Sequence, residues 1–315
     1  MNKLFILGAT ILFSQINYAA INKNALKMEP SKNVIVAVID TGADILHEEI
    51  KDSIWINDGE TGMDPLGNDK ATNGIDDDGN GFVDDIHGWN FINNTNDVSD
   101  EVGHGTHVSG IIKKEFRRYS KKAKSSGSIR LMILKYFDSK GNGDDNLKNS
   151  NKAIAYAHKM GAQVINYSGG GAEPSYQERL MIQECAKQDI LFVAAAGNNN
   201  SNTDFEKYYP ANYPLENIIS VAATNDRGEL VPFSNYGSHI DIAAPGKLIY
   251  SALPNKKYGF MSGTSQATAY VTGLIAHLLA QHSMAPQELR LELKELGTFN
   301  ESLKGKTKSQ VALIE

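Results

Sequence analysis

Cysteine is almost absent from this chain, because Cys185 is the only one among 315 residues. An intrachain disulfide is therefore excluded. In the stretch YQERLMIQECAKQ the residue falls within a helical pattern, and no local feature would lower the pKa of its thiol. We expect Cys185 to pack as a half-buried small hydrophobic residue, without a role as a nucleophile.

The chain also lacks an excess of basic residues. It has 31 Lys and Arg against 37 Asp and Glu, which gives a net charge of -6 and a pI near 5.8. This balance disfavours a nucleic-acid partner. The most basic stretch is KKEFRRYSKKAK at 113–124. It predicts a solvated helix and loop surface rather than a binding patch.

No segment after the N-terminus is long and apolar enough to span a membrane. The first residues, MNKLFILGATILFSQINYAA, combine one lysine, an apolar run over 4–13 and the small residues Ala19 and Ala20. This is the layout of a secretory signal peptide. We predict export to a periplasm or to the medium, no membrane association after cleavage, and a monomer. The predicted segments are a signal peptide over 1–20, a short arm over 21–32 and one domain over 33–315.

Continuous β-branched runs alternate with helical patterns along the rest of the chain. NVIVAVID at 33–40 is typical of a strand buried on both faces of a parallel sheet. The alternation predicts an α/β fold of three layers, doubly wound, with a mostly parallel sheet and helices on both faces. Further strands are predicted at 129–134, 163–168, 190–198 and 217–223, and helices at 146–160, 175–188, 264–282 and 285–296.

Four chemically notable groups fall at the ends of these elements. Asp40 ends the first strand, Asn198 follows a later strand, and Ser265 begins the apolar helix at 264–282. In GHGTHVSG, residues 103–110, His104 lies at the start of another helix. Sites in open α/β sheets form outside the carboxyl ends of the strands. We therefore expect these groups to meet at one edge of the sheet.

Together the four groups would provide what acyl transfer needs. A serine becomes a nucleophile when a histidine takes its proton, and a carboxylate fixes the histidine tautomer. A side-chain amide, as in Asn198, could donate to the oxyanion of the tetrahedral intermediate, and the amides at a helix N-terminus could add a second donor. Each residue alone also has a structural reading: Asp40 and Asn198 as turn residues, and Ser265 as a helix-start serine.

His107 offers a competing reading of the histidine-rich stretch. It lies one helical turn after His104, so the spacing allows a metal pair. No carboxylate or cysteine pattern completes a ligand set for such a pair.

The segments VIVAVIDTGAD, GHGTHVSGII, VAAAGN and SGTSQATAYVTG resemble the four signature blocks of the subtilisin-like serine proteases, or subtilases. The family order of Asp, His and Ser is kept, over about residues 33–295. The resemblance implies a subtilisin-like fold and a secreted serine endopeptidase that cleaves extended polypeptides through an acyl-enzyme. It also implies that Asp40 orients the base, His104 is the general base and acid, Ser265 is the nucleophile, and Asn198 is the oxyanion donor.

The resemblance further implies where a substrate would lie. The block INYSGGG matches the strand and turn that border the specificity pocket of the family. The backbone of Ser168, Gly169 and Gly170 would pair with an extended peptide as an added strand. Three glycines at this rim suggest an open pocket. The opposite wall would consist of Ala195, Ala196 and Gly197.

The stretch over 57–85 is rich in Asp, Asn and Gly. Asp76, Asp78 and Asn80 at alternate positions before Gly81 reproduce the start of an EF-hand loop, although His87 stands where that motif has glutamate. Oxygen ligands at this density suit a structural Ca²⁺ without a part in bond cleavage, and a solvated acidic loop is the alternative. A similar segment in many bacterial subtilases favours calcium. The predicted ligands are Asp76, Asp78, Asn80, the Phe82 carbonyl and Asp84.

Three residues depart from the family pattern. Gln266, Ala269 and Tyr270 stand where methionine, proline and histidine are common. None of these changes removes a catalytic group, although Ala269 bears on the geometry of its helix. In addition, residues 21–32 leave no room for a long inhibitory propeptide, so we expect folding without one.

Two other functions are compatible with parts of the pattern. A catalytically silent relative would bind peptides without cleaving them, although all four catalytic groups are present. An esterase of the α/β-hydrolase type would have the motif G-x-S-x-G and the chain order serine, acid, histidine. The sequence around Ser265 has neither feature.

Overall fold

The computed structural model describes residues 33–138, 140 and 143–314, so the predicted signal peptide and arm lie outside the described residues. The described residues contain a nine-stranded sheet and a separate two-stranded hairpin. The strands of the sheet are β1 (Asn33–Asp40), β2 (Gly88–Asn90), β3 (Ser128–Lys135), β4 (Val164–Tyr167), β5 (Leu191–Ala195), β6 (Ile218–Thr224), β7 (Ile242–Pro245), β10 (Thr298–Phe299) and β11 (Val311–Ala312), and the hairpin is β8 (Ile249–Leu253) with β9 (Lys257–Met261).

The strand order places β1 at a switch point of the sheet. The order is β10-β11-β7-β6-β5-β4-β1-β3-β2, and every pair except β10 with β11 is parallel. After β1, the chain adds β3 to one side of β1 and then β4 to the other side. Connections that leave in opposite directions open a crevice at the carboxyl end of the strand between them. That end of β1 is Asp40.

Helices cover both faces of the sheet, which confirms the predicted three-layer doubly wound fold. The helices are α1 (His104–Ala123), α2 (Gly143–Lys159), α3 (Tyr176–Ala186), α4 (Thr264–Gln281) and α5 (Pro286–Leu296). Successive strand side chains point to opposite faces. Val36 and Val38 therefore pack in the core on the face that α1, α4 and α5 cover, whereas Ala37 and Ile39 pack in the core on the face that α2 and α3 cover.

Helix α4 is buried on all sides over residues 264–277, as its apolar sequence predicts. The helix continues without interruption through Ala269 and Tyr270, where the family pattern has proline and histidine. Both residues are buried, and the Tyr270 hydroxyl receives a hydrogen bond from Arg118 and donates one to the Ile314 carbonyl oxygen at 3.3 Å. The tyrosine thus connects α4 to α1 and to the C-terminal segment.

Cys185 lies on α3 and is fully buried, so it is more enclosed than the half-buried position expected. Burial raises the pKa of its thiol to about 12. The residue therefore packs as a small hydrophobic side chain, as predicted.

The β8–β9 hairpin packs against α1 through His107. The imidazole Nε2 donates to the carbonyl oxygens of Ile249 (3.0 Å) and Gly259 (3.3 Å). Burial lowers the pKa of His107 to about 4, so the ring is neutral at physiological pH. His107 therefore holds the hairpin, and this arrangement does not favour a metal pair with His104.

Among the described residues, no helix combines the length and the hydropathy required to cross a bilayer.

The start of α1 approaches the end of β1 closely at Gly105. A Cβ atom at this position would overlap the carbonyl oxygen of Gly42 and lie 3.1 Å from the Cβ of Asp40. Since a backbone oxygen cannot move aside cheaply, the contact requires glycine.

We predict that Gly105→Ala lowers the free energy of unfolding by about 1–3 kcal/mol, because the added methyl forces α1 away from β1. Urea denaturation of the full chain measures this change. The matched control is Gly143→Ala, since a Cβ at Gly143 has no described atom within 4 Å. The control should leave the stability unchanged or raise it by up to about 1 kcal/mol. Equal stability of both variants would contradict the prediction.

Candidate active site

The four predicted catalytic groups lie on four separate segments that meet at the carboxyl edge of the sheet. Asp40 is the last residue of β1, and Asn198 lies in the loop after β5. His104 is the first residue of α1, and Ser265 is the second residue of α4. Each side chain is therefore positioned by the end of a regular element.

Asp40 and His104 form a direct hydrogen bond, in which the imidazole Nδ1 lies 2.7 Å from Oδ1 of the carboxylate. The same oxygen accepts a hydrogen bond from the backbone N of Thr41 at 2.8 Å. Asp40 is 3% exposed, while the His104 side chain is 30% exposed. Because Nδ1 is held by the carboxylate, Nε2 is the nitrogen that can accept a proton.

The pKa of His104 is raised above the ordinary histidine value of 6.5. Burial by itself would lower this pKa. The charge of Asp40, the hydrogen bond to Asp40 and the charge of Asp100 outweigh burial and stabilise the imidazolium.

Asp100 is a buried residue that the sequence patterns did not single out. Its carboxylate accepts hydrogen bonds from Thr41 Oγ1 (2.9 Å), Gly103 N (2.7 Å), Thr106 N (2.9 Å) and Thr106 Oγ1 (2.6 Å). The hydroxyl of Thr41 in turn accepts from Gly105 N at 2.9 Å. Asp100 thus joins the turn after β1 to the first turn of α1. The only feature of the sequence that could have indicated Asp100 is its position shortly before His104.

The hydroxyl of Ser265 donates to the carbonyl oxygen of Ser168 at 3.3 Å. Pairing of β1 with β4 ends at Ile39 with Tyr167, so Asp40 and Ser168 are the next residues on two neighbouring strands. The acid that holds His104 and the carbonyl that holds Ser265 therefore lie side by side at the sheet edge.

The side-chain amide of Asn198 and the backbone N of Ser265 lie near one point beside Gly263, where Gln266 Oε1 also lies. The Asn198 Oδ1 accepts from the backbone N of Thr264 at 2.8 Å and from its hydroxyl at 3.1 Å, which leaves Nδ2 on the opposite side of the amide. The position of a Cβ built on Gly263 lies 3.6 Å from this Nδ2 and 3.7 Å from the backbone N of Ser265. Two N–H donors this close to one point are the groups that could stabilise an oxyanion.

The predicted substrate walls are the segments that follow β4 and β5. These strands pair in parallel as far as Tyr167 with Ala194, and beyond that pair they separate into residues 168–170 and 195–197. Both segments contact the start of α4, since Ser168 O accepts from Ser265 and Gly197 N donates to Thr264 Oγ1 at 3.2 Å. Both segments are therefore held next to the serine.

A separate acidic group lies in the stretch over 57–85. Glu60, Asp78 and Asp85 each offer a carboxylate oxygen, and these oxygens lie within 4.8 Å of one another. Glu60 and Asp85 are fully buried, and burial together with the neighbouring carboxylates raises the pKa of both. Glu60 Oε2 is buried and has no hydrogen-bond partner among the described residues. This orphaned oxygen and the three carboxylates fit a hard cation.

The ligands predicted from the EF-hand-like spacing are divided by the structure. Asp78 belongs to the acidic group, whereas Asp76 accepts from Gly81 N at 2.7 Å and Asp84 accepts from Gly74 N at 3.1 Å. Asn80 accepts from Phe82 N at 2.7 Å. The sequence reasoning did not select Glu60 and Asp85. Both lie within the acidic stretch, but their separation along the chain matches no local motif.

Comparison with known proteins gives consistent matches. The model of the subtilase family matches residues 31–296. A thermophilic serine proteinase from Bacillus sp. (strain AK1) is 35% identical over 246 residues, which cover 78% of this chain and 52% of that protein. Thermitase from Thermoactinomyces vulgaris is 32% identical over 209 residues, or 66% of this chain and 72% of thermitase. The chain thus spans about half the length of the first of these relatives.

A solved structure agrees with these sequence matches. The crystal structure of a cold-adapted subtilisin-like serine proteinase superposes with a TM-score of 0.64 at 25% sequence identity. The match covers 90% of this chain and 89% of that one.

We predict that Asp100→Asn lowers the pKa of His104, because it removes one of the two negative charges that stabilise the imidazolium. NMR titration of the imidazole measures the pKa, which should lie above 6.5 in the unaltered protein. The matched control is Glu101→Gln, which removes an exposed charge from the adjacent residue and should leave the pKa in place. A value below 6.5, or the same shift in both variants, would refute the assignment.

Proposed function

The chain belongs to the subtilase family, and from that premise we propose that it is a serine endopeptidase that hydrolyses peptide bonds of extended polypeptides. The observation that carries the proposal is the 2.7 Å hydrogen bond between Asp40 and His104 at the sheet edge where the Ser168 carbonyl oxygen accepts from the Ser265 hydroxyl. In this proposal Ser265 is the nucleophile, His104 the general base and acid, and Asp40 the residue that orients His104.

In the acylation step, the Ser265 hydroxyl turns from the Ser168 carbonyl toward His104 and attacks the carbonyl carbon of the substrate. The imidazole Nε2 takes the hydroxyl proton as the new C–O bond forms. The Asp40 carboxylate stabilises the resulting imidazolium, consistent with the raised pKa of His104. His104 then gives this proton to the leaving amine.

The tetrahedral intermediate carries a negative charge on the former carbonyl oxygen. Asn198 Nδ2 and the backbone N of Ser265 border the space proposed for this oxyanion, and the N-terminus of α4 adds a favourable dipole. Deacylation repeats the same roles with water as the nucleophile.

We propose that polypeptides bind in an extended form along residues 168–170, with residues 195–197 as the opposite wall. Binding of this kind uses the main chain, so it places little demand on most side chains of the peptide. The proposal includes export to a periplasm or to the medium, on the basis of the N-terminal sequence, and action as a monomer.

We predict that Ser265→Ala abolishes covalent labelling by a fluorophosphonate probe and cleavage of casein, because both require the serine hydroxyl. Labelling is measured by gel fluorescence of the purified protein. A folded protein that neither labels nor cleaves casein would instead favour the catalytically silent, peptide-binding alternative.

We predict that Asn198→Ala lowers kcat by about 10²–10³ with a much smaller change in KM, because the lost donor acts on the transition state. The neighbouring Asn199 is exposed and provides a matched control in Asn199→Ala. Steady-state kinetics on one peptide substrate measure both constants. Equal effects of the two variants on kcat would refute the role of Asn198.

We also propose a structural Ca²⁺ at Glu60, Asp78 and Asp85. Bound there, the ion would neutralise clustered carboxylates and satisfy Glu60 Oε2. The group is linked to α2, because Tyr156 donates to Asp85 and Lys159 Nζ donates to the Asn80 carbonyl oxygen at 2.8 Å. An ion at this position would hold the acidic stretch against the body of the protein.

We predict that Ca²⁺ raises Tm and that EGTA reverses the change, since an ion that binds only the folded state adds about 2.7 kcal/mol at one hundred times its Kd. Glu60→Gln should lose most of this increment. Asp76→Asn should keep it, because Asp76 lies outside the acidic group. Loss in Asp76→Asn with retention in Glu60→Gln would favour the EF-hand-like ligand set instead, and no calcium response would refute both.

A further inference from the structure

The ring of Tyr208 lies close to both Gly170 and Gly197. We propose that it narrows the substrate cleft between residues 168–170 and 195–197 and restricts the enzyme to substrates with a small residue immediately before the cleaved bond. This inference rests on the proposed function, because it assigns the specificity of that same site. The residues concerned are alanine, glycine and serine.

The cleft is defined by the strands on either side of it. Once β4 and β5 separate, residues 168–170 and 195–197 run on as two walls, and both contact the start of α4 at Thr264 and Ser265. A peptide whose carbonyl carbon reaches Ser265 must therefore direct the adjoining side chain between these walls.

The two edges of the Tyr208 ring face the two walls. A Cβ built on Gly170 would lie 2.6 Å from Tyr208 Cε1, and one built on Gly197 would lie 3.1 Å from both Cδ2 and Cε2. Cε1 lies on one side of the ring, whereas Cδ2 and Cε2 lie on the other. The ring thus spans the gap between Gly170 and Gly197.

Gly169 shows the same relation with a different tyrosine. A Cβ at Gly169 would overlap the hydroxyl of Tyr136 and lie 3.2 Å from Cζ of Tyr167. The run of glycines suggested an open rim in the sequence. In the structure, the space that side chains at Gly169 and Gly170 would fill is taken by tyrosines from other segments.

The backbone around Tyr208 is fixed to one of the walls. Tyr209 and Gly171 exchange two backbone hydrogen bonds, of 2.9 and 2.8 Å, and the Tyr208 N donates to Asn212 Oδ1 at 3.0 Å. The main chain therefore cannot withdraw from the cleft without breaking these bonds. A large substrate side chain would have to displace the ring itself.

The chemistry of the ring also suits a small neutral side chain. Burial and the nearby carboxyl of Glu178 raise the pKa of Tyr208, so its hydroxyl stays protonated near neutral pH. Tyr208 thus presents an aromatic surface and a neutral hydroxyl beside Gly170 and Gly197. A methyl or hydroxymethyl group fits beside this surface, whereas a benzyl or isobutyl group competes with it for space.

The test compares two peptide p-nitroanilides that differ only in the last residue, succinyl-Ala-Ala-Pro-Ala and succinyl-Ala-Ala-Pro-Phe. We expect the unaltered protein to favour the Ala peptide in kcat/KM by about 10-fold or more, as differences of one or more buried carbons produce. Tyr208→Gly should reverse this order by opening the cleft. Tyr208→Phe, which keeps the ring, should retain the original order.

A preference of the unaltered protein for the Phe peptide, or an unchanged ratio in Tyr208→Gly, would overturn the inference. Should Tyr208→Gly fail to fold, the cleavage sites of the unaltered protein in denatured casein, mapped by mass spectrometry, decide the same question. Cleavage sites that follow mainly Phe, Tyr or Leu would refute the inference.

Fluorophosphonate labelling distinguishes failure of the proposed function from failure of the inference about Tyr208. A labelled enzyme with the wrong preference refutes only the role of Tyr208. Absence of both labelling and cleavage would refute the proposed function and this inference with it.

Discussion

The close approach of α1 to the end of β1 is the constraint on which the candidate site depends. Gly105 permits the contact because a side chain there would overlap the Gly42 carbonyl oxygen. Asp100 holds the contact with hydrogen bonds to both segments, and Asp40 reaches His104 at 2.7 Å as a result. The strength of a charge-assisted hydrogen bond falls steeply with poor alignment, so the backbone has to be fixed before the side chains can act.

The second half of the site is organised around Thr264 rather than around the serine itself. Its backbone N and hydroxyl both bind Asn198 Oδ1, and its hydroxyl also accepts from Gly197 N. The loop after β5 is thereby attached to the start of α4. Thr264 thus sets the orientation of the Asn198 amide and the position of Gly197, which connects the proposed oxyanion donor to the proposed substrate wall.

The sequence predicted the parts of this arrangement that local patterns encode. Asp40 ends one continuous apolar run, Asn198 follows another, and His104 and Ser265 begin helical segments, so their positions at element ends could be read directly. Asp100 and Tyr208 could not be found in this way, because their roles come from contacts with distant segments and neither residue falls in a repeating pattern. The short strand β2 and the hairpin of β8 and β9 were also missed, since three residues carry no period and the hairpin is partly exposed.

The acidic stretch shows how far protein atoms alone can satisfy buried charge. Asp85 receives hydrogen bonds from Asn57, Asn80 and Tyr156, which offset much of its desolvation. Glu60 is equally buried, but one oxygen accepts from Asp77 N and the other has no partner among the described residues. Burying an uncompensated carboxylate oxygen beside two more carboxylates is costly. The proposed divalent cation would remove both the repulsion and the missing contact, and protonation of Glu60 would also relieve the repulsion and supply an O–H donor.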